Sequence, residues 1–210
     1  MSEIAGNSAT LRRAVKIVDE PKVLIDPIRR EILRLLALEP QTSTQLAERL
    51  SLTKSTVWHH IQVLKKAGLI RIKWAKIGSH GILEKYYEPV AVLFIEDYHK
   101  IPEGMKKYFL AIHMERLRGI FSAFQLVGEF KRNRSVASPG FDVMNELAEE
   151  ALRHMTQVGE RYEGKLTDLD GETLLVRIYS ETLKSVISRE VWSKFIDEMS
   201  KDREAIPGRE

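Results

Sequence analysis

The stretch TSTQLAERLSLTKSTVWHHIQVLKKAGLI, residues 42–70, decides how the whole chain reads. Thr42 and Gln45 stand three apart, the spacing at which a hydroxyl and an amide cap each other's backbone N–H groups. A short helix is predicted over residues 44–50, with Leu46, Ala47 and Leu50 turned inward. Ser51 and Leu52 make a tight turn, and Thr53 caps a longer helix over residues 54–67. Gly68 stands where a left-handed C-cap is wanted. Within that longer helix Val57, Ile61 and Leu64 recur at spacings of four and three, which makes one buried stripe. The opposite side carries Lys54, Ser55, Trp58, His59, Gln62 and Lys65, and His60 lies beside the stripe. Hydroxyls at Thr53, Ser55 and Thr56 gather at the N-terminus, where free N–H groups favour a phosphate.

Upstream, Asp26-Pro27 opens another helix: Asp is a good N-cap, and proline suits the first helical position because its missing N–H has no partner there. Ile28, Ile32, Leu35 and Leu36 follow at helical spacing, and Glu39-Pro40 ends the run. Val15–Val18 reads as a short strand, and residues 1–14 are expected to be weakly ordered. Downstream, residues 69–74 read as a strand, Ala75–Gly81 as a polar, glycine-bounded loop, and Ile82–Tyr87 as the return strand, closed by Pro89. Arg71, Lys73, Lys76, Ser79 and His80 surround the loop. Gly78 and Gly81 allow a tight backbone there.

Helix, short helix, tight turn, helix and two-stranded hairpin, in that order, make a winged helix-turn-helix. Three helices share one small core, and the third keeps a face free to enter a major groove about 12 Å wide. Charge distribution agrees. Residues 54–85 hold seven Lys/Arg (54, 65, 66, 71, 73, 76, 85) against Glu84, whereas residues 141–210 hold ten cations against sixteen acids. A basic block beside an acidic remainder is the footprint of a polyanion ligand, although a solvated charged face has the same composition. The DNA-binding set is therefore Thr53, Lys54, Ser55, Thr56, Trp58, His59, Gln62, Lys65, Arg71, Lys73, Lys76, Ser79 and His80. The cations supply salt-sensitive phosphate affinity, and Trp58, His59 and Gln62 reach base edges.

Several classes fall away. The chain has no cysteine, so disulfides, thiolate metal sites and cysteine nucleophiles are excluded. No run approaches the ~18 apolar residues of a membrane span, and the first twenty residues lack a secretory signal, which predicts a cytoplasmic protein. No glycine-rich phosphate cradle, Gly-x-Ser-x-Gly or His-Glu-x-x-His motif is present, so an enzyme is not expected and neither is a cofactor. His59 and His60 point about 100° apart on a helix and do not share an ion. His99, His113 and His154 are isolated in sequence, which leaves only a metal site across a dimer interface open.

The segments DPIRREILRLL, TSTQLAERLSLTKSTVWHHIQVLKKAGLI and EKYYEP, within residues 24–89, resemble the ArsR-like winged-helix regulators. HHIQVLKKAGLI followed by EKYYEP is similar to a group of archaeal members with a helical C-terminal dimerisation region. The resemblance implies a homodimer that represses or activates genes. The chain departs from the metal-sensing founders, which place a Cys-x-Cys pair where Gln45-Leu46-Ala47-Glu48 stands here, so sensing of thiophilic metals is not implied.

The expected fold is mainly α with a small β-wing: a winged helix-turn-helix domain over residues 15–90, then a helical domain over residues 91–205. Helices are predicted from Gly104 to about Phe130, from Phe141 to about Arg161, over residues 172–187 and over residues 189–201, with a strand over residues 173–179 as the alternative. Leu110, Met114, Leu117, Phe121 and Phe124 recur at spacings of 4, 3, 4 and 3. They make either a seam between two subunits or an internal core, and the dimer-interface assignment takes the first reading. Phe141, Met144, Ala148, Ala151 and Met155 give the next helix an apolar face, a packed core or a pocket for an unidentified small-molecule effector. The expected partners are double-stranded DNA, as a palindromic operator, and a second copy of the chain. The alternative is a winged-helix protein-interaction module within a transcription assembly.

Overall fold

The computed structural model describes residues 11–78, 81–132 and 139–200, without the side chains of residues 124–132 and 200. The chain divides into two compact units, Met1–Ile101 with Gly159–Arg177, and Pro102–Val158 with Ile178–Glu210.

In the first unit, helix α1 (Pro27–Leu38) starts where Asp26 Oδ1 accepts hydrogen bonds from the N–H groups of Ile28 (2.8 Å) and Arg29 (3.2 Å). Its apolar positions Ile32, Leu33, Leu35 and Leu36 are all buried. Helix α2 (Ser43–Leu50) carries the full capping box: the Thr42 N–H donates to Gln45 Oε1 (2.9 Å) and the Gln45 N–H to Thr42 Oγ1 (3.2 Å). The turn into helix α3 (Lys54–Lys66) passes through Ser51, whose φ of 54° is left-handed. Thr53 Oγ1 caps α3 by accepting from the Thr56 N–H at 3.2 Å. Gly68 then closes the helix at φ 69°, the conformation a β-carbon makes costly. Thr53→Ala is expected to cost about 1 kcal/mol by removing this cap, read as a lower denaturation midpoint with an unchanged slope.

Strands β1 (Arg12–Arg13), β2 (Val15–Val18), β3 (Ile70–Ile77), β4 (Leu83–Pro89), β5 (Leu93–Glu96) and β6 (Leu166–Thr167) form three two-stranded pairings. β2 runs parallel to β5, β1 antiparallel to β6, and β3 antiparallel to β4. The β3–β4 hairpin is the wing. It is joined to the helices through buried Gln41, which exchanges backbone hydrogen bonds with Tyr87 (3.3 and 2.9 Å) and donates from Nε2 to the Leu35 carbonyl (3.1 Å). Arg12 and Arg13 are thus ordered strand residues, whereas weak order was expected of them.

The wing is longer than the sequence suggests. Ala75, Lys76 and Ile77 continue the strand, paired with Lys85, Glu84 and Leu83, where a loop was predicted. Beyond Ile77 the Gly78 N–H donates to the Ile82 carbonyl at 2.9 Å, and Gly81 has φ 71°. Ser79 and His80 lie outside the described residues.

The second unit is helical. It is built from helix α4 (Glu103–Arg132), helix α5 (Phe141–Glu160) as far as Val158, the Ile178–Val186 part of helix α6 (Gly171–Val186), and helix α7 (Glu190–Ser200). Residues 173–179 are helical: Asp170 Oδ1 accepts from the Thr173 N–H at 2.9 Å and so starts α6 rather than a strand. Among the described residues no helix is long and apolar enough to cross a membrane.

Candidate nucleic-acid interface

The helix that carries the site is held from behind. Val57, Ile61 and Leu64 are fully buried, against a core that includes Ile32, Leu36, Leu46 and Leu69. The polar side of α3 is left outward: Lys54, Ser55, His59 and Lys65 are exposed, Trp58 is 56% exposed, and Thr56 and Gln62 are half-buried. His60 lies on the buried side, with Nδ1 3.7 Å from Asp26 Oδ2. Burial pushes its pKa down, against the opposing pull of the Asp26 carboxylate. At the N-terminus of α3 the three hydroxyls bond to one another, Thr53 Oγ1 to Ser55 Oγ (3.0 Å) and to Thr56 Oγ1 (2.8 Å).

Lys54, Trp58, Gln62 and Lys65 line one groove, of about 680 Å³, together with Thr42, Ser43 and Thr44 at the start of α2 and Gly78, Ile82, Leu83, Glu84, Lys85 and Tyr87 of the wing. Thr42–Thr44 and Lys85 extend the site beyond the residues that the sequence points to. The α2 residues are legible as a capping box but not as neighbours of α3, which needs the packing angle of the two helices.

The wing's pairing register separates the predicted cations. Ile72 faces Tyr87, but Trp74 faces Tyr86, so Lys73 is an extra residue in a β-bulge. One inserted residue exchanges the two faces of a strand. Beyond the bulge Ala75 and Ile77 share a face with Lys85 and Leu83, and Trp74 and Lys76 share the other with Tyr86 and Glu84. The face turned to the α3 groove therefore takes its cation from β4, through Lys85. Arg71 and Lys73 line a different depression with Arg12, Arg13, Glu88 and Asp168.

Both of those cations are engaged by Glu88: Arg71 Nε and a terminal guanidinium nitrogen lie 2.9 and 2.8 Å from Oε1, and Lys73 Nζ lies 3.2 Å from Oε2. Glu88 lies just beyond the basic block of residues 54–85. Trp74 stacks on Tyr86 at 5.4 Å, with Lys73 over the Trp74 ring and Lys76 over the Tyr86 ring. A hydrogen bond to Tyr86 raises the Lys76 pKa, with the nearby Tyr86 and Glu84 charges in support.

In the second unit, three of the five residues assigned to the seam are already buried within the one chain. Met114, Leu117 and Phe121 are buried, with Phe121 4.4 Å from the Phe195 ring, and Leu110 is half-buried. The Phe124 side chain lies outside the described residues. Met144, Ala148, Ala151 and Met155 are likewise packed, while Phe141 is exposed. Among the described residues no group of three or more His, Asp or Glu stands close enough to hold a metal ion.

No curated protein matches the chain. Residues 24–73 match the family model described as a helix-turn-helix domain, a span that runs through α1, α2 and α3 into the wing. The chain carries a helix-turn-helix domain of the kind found in DNA-binding transcription regulators, with a winged β-hairpin and a helical remainder.

Proposed function

We propose that this protein is a sequence-specific, double-stranded DNA-binding regulator that acts as a homodimer of the ArsR-like type inside the cell. Residues 15–90 bind the operator, and the helical second unit, within residues 91–205, holds two copies together. Helix α3 enters the major groove, Trp58, His59 and Gln62 read base edges, and Lys54, Lys65 and Lys85 contact phosphates. Arg71, Lys73 and Lys76 meet the backbone from the outer face of the wing.

The observation that carries the reading is the two-sidedness of α3: an apolar stripe with no exposure behind, and an uncovered row of donors and cations in front, in a groove walled by the wing. An internal helix has no use for an exposed Trp58 flanked by lysines. A second copy has a physical purpose, because two-fold pairing doubles the protein–DNA interface and matches a palindrome.

Selection of bound sequences from a random duplex pool is the test. The expected result is one enriched motif with half-sites ~34–36 Å apart or a multiple of it; no enrichment over the input pool refutes sequence-specific binding. On the selected duplex, Lys54→Ala, Lys65→Ala and Lys85→Ala are each expected to flatten the slope of log affinity against log salt by ~0.9. An unchanged slope removes that lysine from the interface. Trp58→Ala is expected to relax base preference by ~1–3 kcal/mol for each base edge it no longer reads, seen as a narrower gap between selected and scrambled duplexes.

A further inference from the structure

Helix α5 turns most of its apolar residues inward, yet Phe141 at its start stands 65% exposed. Phe141 borders a groove of about 660 Å³ within the second unit, and the other wall of that groove is α4. Lys107, Leu110, Ala111 and Met114 line the α4 side at i, i+3, i+4 and i+7, the spacing of one helical stripe. Phe141 and Asn145, about one turn apart, line the α5 side. Met114 is buried, Leu110 half-buried and Ala111 exposed.

Most of the charge in this groove is already matched. Lys106 Nζ lies 2.6 Å from Glu103 Oε2, and Glu149 Oε1 lies 3.4 Å from a guanidinium nitrogen of Arg153. Lys107 and Asn145 are the polar groups left over: among the described residues neither the ammonium nor the side-chain amide has a hydrogen-bond or ion-pair partner. The groove therefore offers one cation and one amide together with an apolar strip. That combination suits a single carboxylate on an apolar body, because the ammonium and the amide N–H both donate to carboxylate oxygens. The volume falls within the ~300–1,000 Å³ of small-molecule sites, which are mostly apolar with a few polar groups that fix orientation. An amine in the same place is repelled by Lys107. A second copy on a two-fold axis sets the same patch against itself, and two hollows do not fill one another.

We propose that the α4–α5 groove binds an amphipathic monocarboxylic acid. Lys107 and Asn145 hold its carboxylate, and its apolar body lies over Leu110, Ala111, Met114 and Phe141. The site belongs to the second unit and does not depend on what the first unit binds.

The test is calorimetric titration of the full chain with decanoate, octanoate, decanol and decylamine, each below the concentration at which it aggregates, with sedimentation of the same samples. Wild type is expected to bind decanoate about 15-fold tighter than octanoate, from two methylenes at ~0.8 kcal/mol each, and not to bind decylamine. Lys107→Gln is expected to weaken decanoate by about threefold, as for an exposed ion pair, and to leave decanol unchanged. Phe141→Ser is expected to weaken both. Both positions are exposed, so each variant is expected to keep the wild-type melting temperature, and the comparison of decanoate with decylamine on wild type stands even where a variant fails to fold. Equal affinity of wild type for decanoate and decylamine, or an unchanged decanoate affinity in folded Lys107→Gln, overturns the carboxylate assignment. Absence of decanoate binding overturns the site, and if Phe141→Ser then splits a wild-type dimer into monomers, a second copy is the occupant.

Discussion

Ile61→Ala is expected to destabilise the first unit by about 2–5 kcal/mol, the range for truncating a fully buried aliphatic residue. Ile61 has no exposed surface and stands in the middle of α3's buried stripe, between Val57 and Leu64. Alanine at that position leaves a void at the point where α3 leans on the other helices, and dense cores close such voids only in part. The companion change Trp58→Ala, three residues earlier on the exposed side, is expected to alter stability by less than about 0.5 kcal/mol. Of the three tryptophans, Trp58 and Trp74 belong to the first unit and Trp192 to the second. In a Trp192→Phe background, fluorescence during urea denaturation of Ile61→Ala therefore reports the first unit alone. The opposite ranking, with Trp58→Ala costly and Ile61→Ala neutral, contradicts the orientation of α3.

Acidification is expected to loosen the second unit through His113. Its ring is buried on α4, with Nδ1 2.6 Å from the Tyr179 hydroxyl. Burial, aided by the nearby Arg116 charge, lowers its pKa from 6.5 to about 3. A histidine whose folded pKa is depressed stabilises the fold fully above its unfolded pKa. That contribution is lost as pH falls from about 6.5 towards 3, because the unfolded chain takes up the proton first. Between pH 7 and pH 5 the loss is about 2 kcal/mol. The lowered carboxyl groups of Asp19, Glu31 and Asp170 act in the same direction, but only below the ordinary carboxylate range. The window above pH 5 is thus left to histidine, with His60 of the first unit acting in the same direction. His113→Phe combined with Tyr179→Phe removes both polar partners together, which avoids orphaning either. The double variant is expected to lose most of the pH 7-to-5 difference in Trp192-reported stability. An undiminished difference excludes His113 as its source.

The elements of the DNA-binding unit are legible because their signals are local. Asp26-Pro27, the Thr42–Gln45 box, Thr53 and Gly68 each act within one helical turn, and all fall in place as predicted. The buried and outward sides of α3 follow from spacing alone. What escapes a sequence reading depends on register or on distant strands. Nothing local in Ile72-Lys73-Trp74 announces a bulge, yet that one residue decides which wing side chains look towards α3. The continuation of β3 through Ala75-Lys76-Ile77 is supported by cross-strand partners rather than by burial, so its own pattern reads as loop. The parallel pairing of Val15–Val18 with Leu93–Glu96 joins segments nearly eighty residues apart, and Glu163 bonding to the Ile17 N–H at 3.1 Å is more distant still. The heptad spacing of Met114, Leu117 and Phe121 marks an apolar face, and only the packing of α7 tells what covers Phe121.

The most direct measurement is the affinity of the full chain for its selected duplex across a range of salt, beside Lys65→Ala and the second-unit control Lys184→Ala. The expected result is a steep negative slope for wild type, flattened by ~0.9 in Lys65→Ala and unchanged in Lys184→Ala. Equal slopes for all three proteins, or binding that does not weaken as salt rises, contradict the assignment of α3's outward face to DNA.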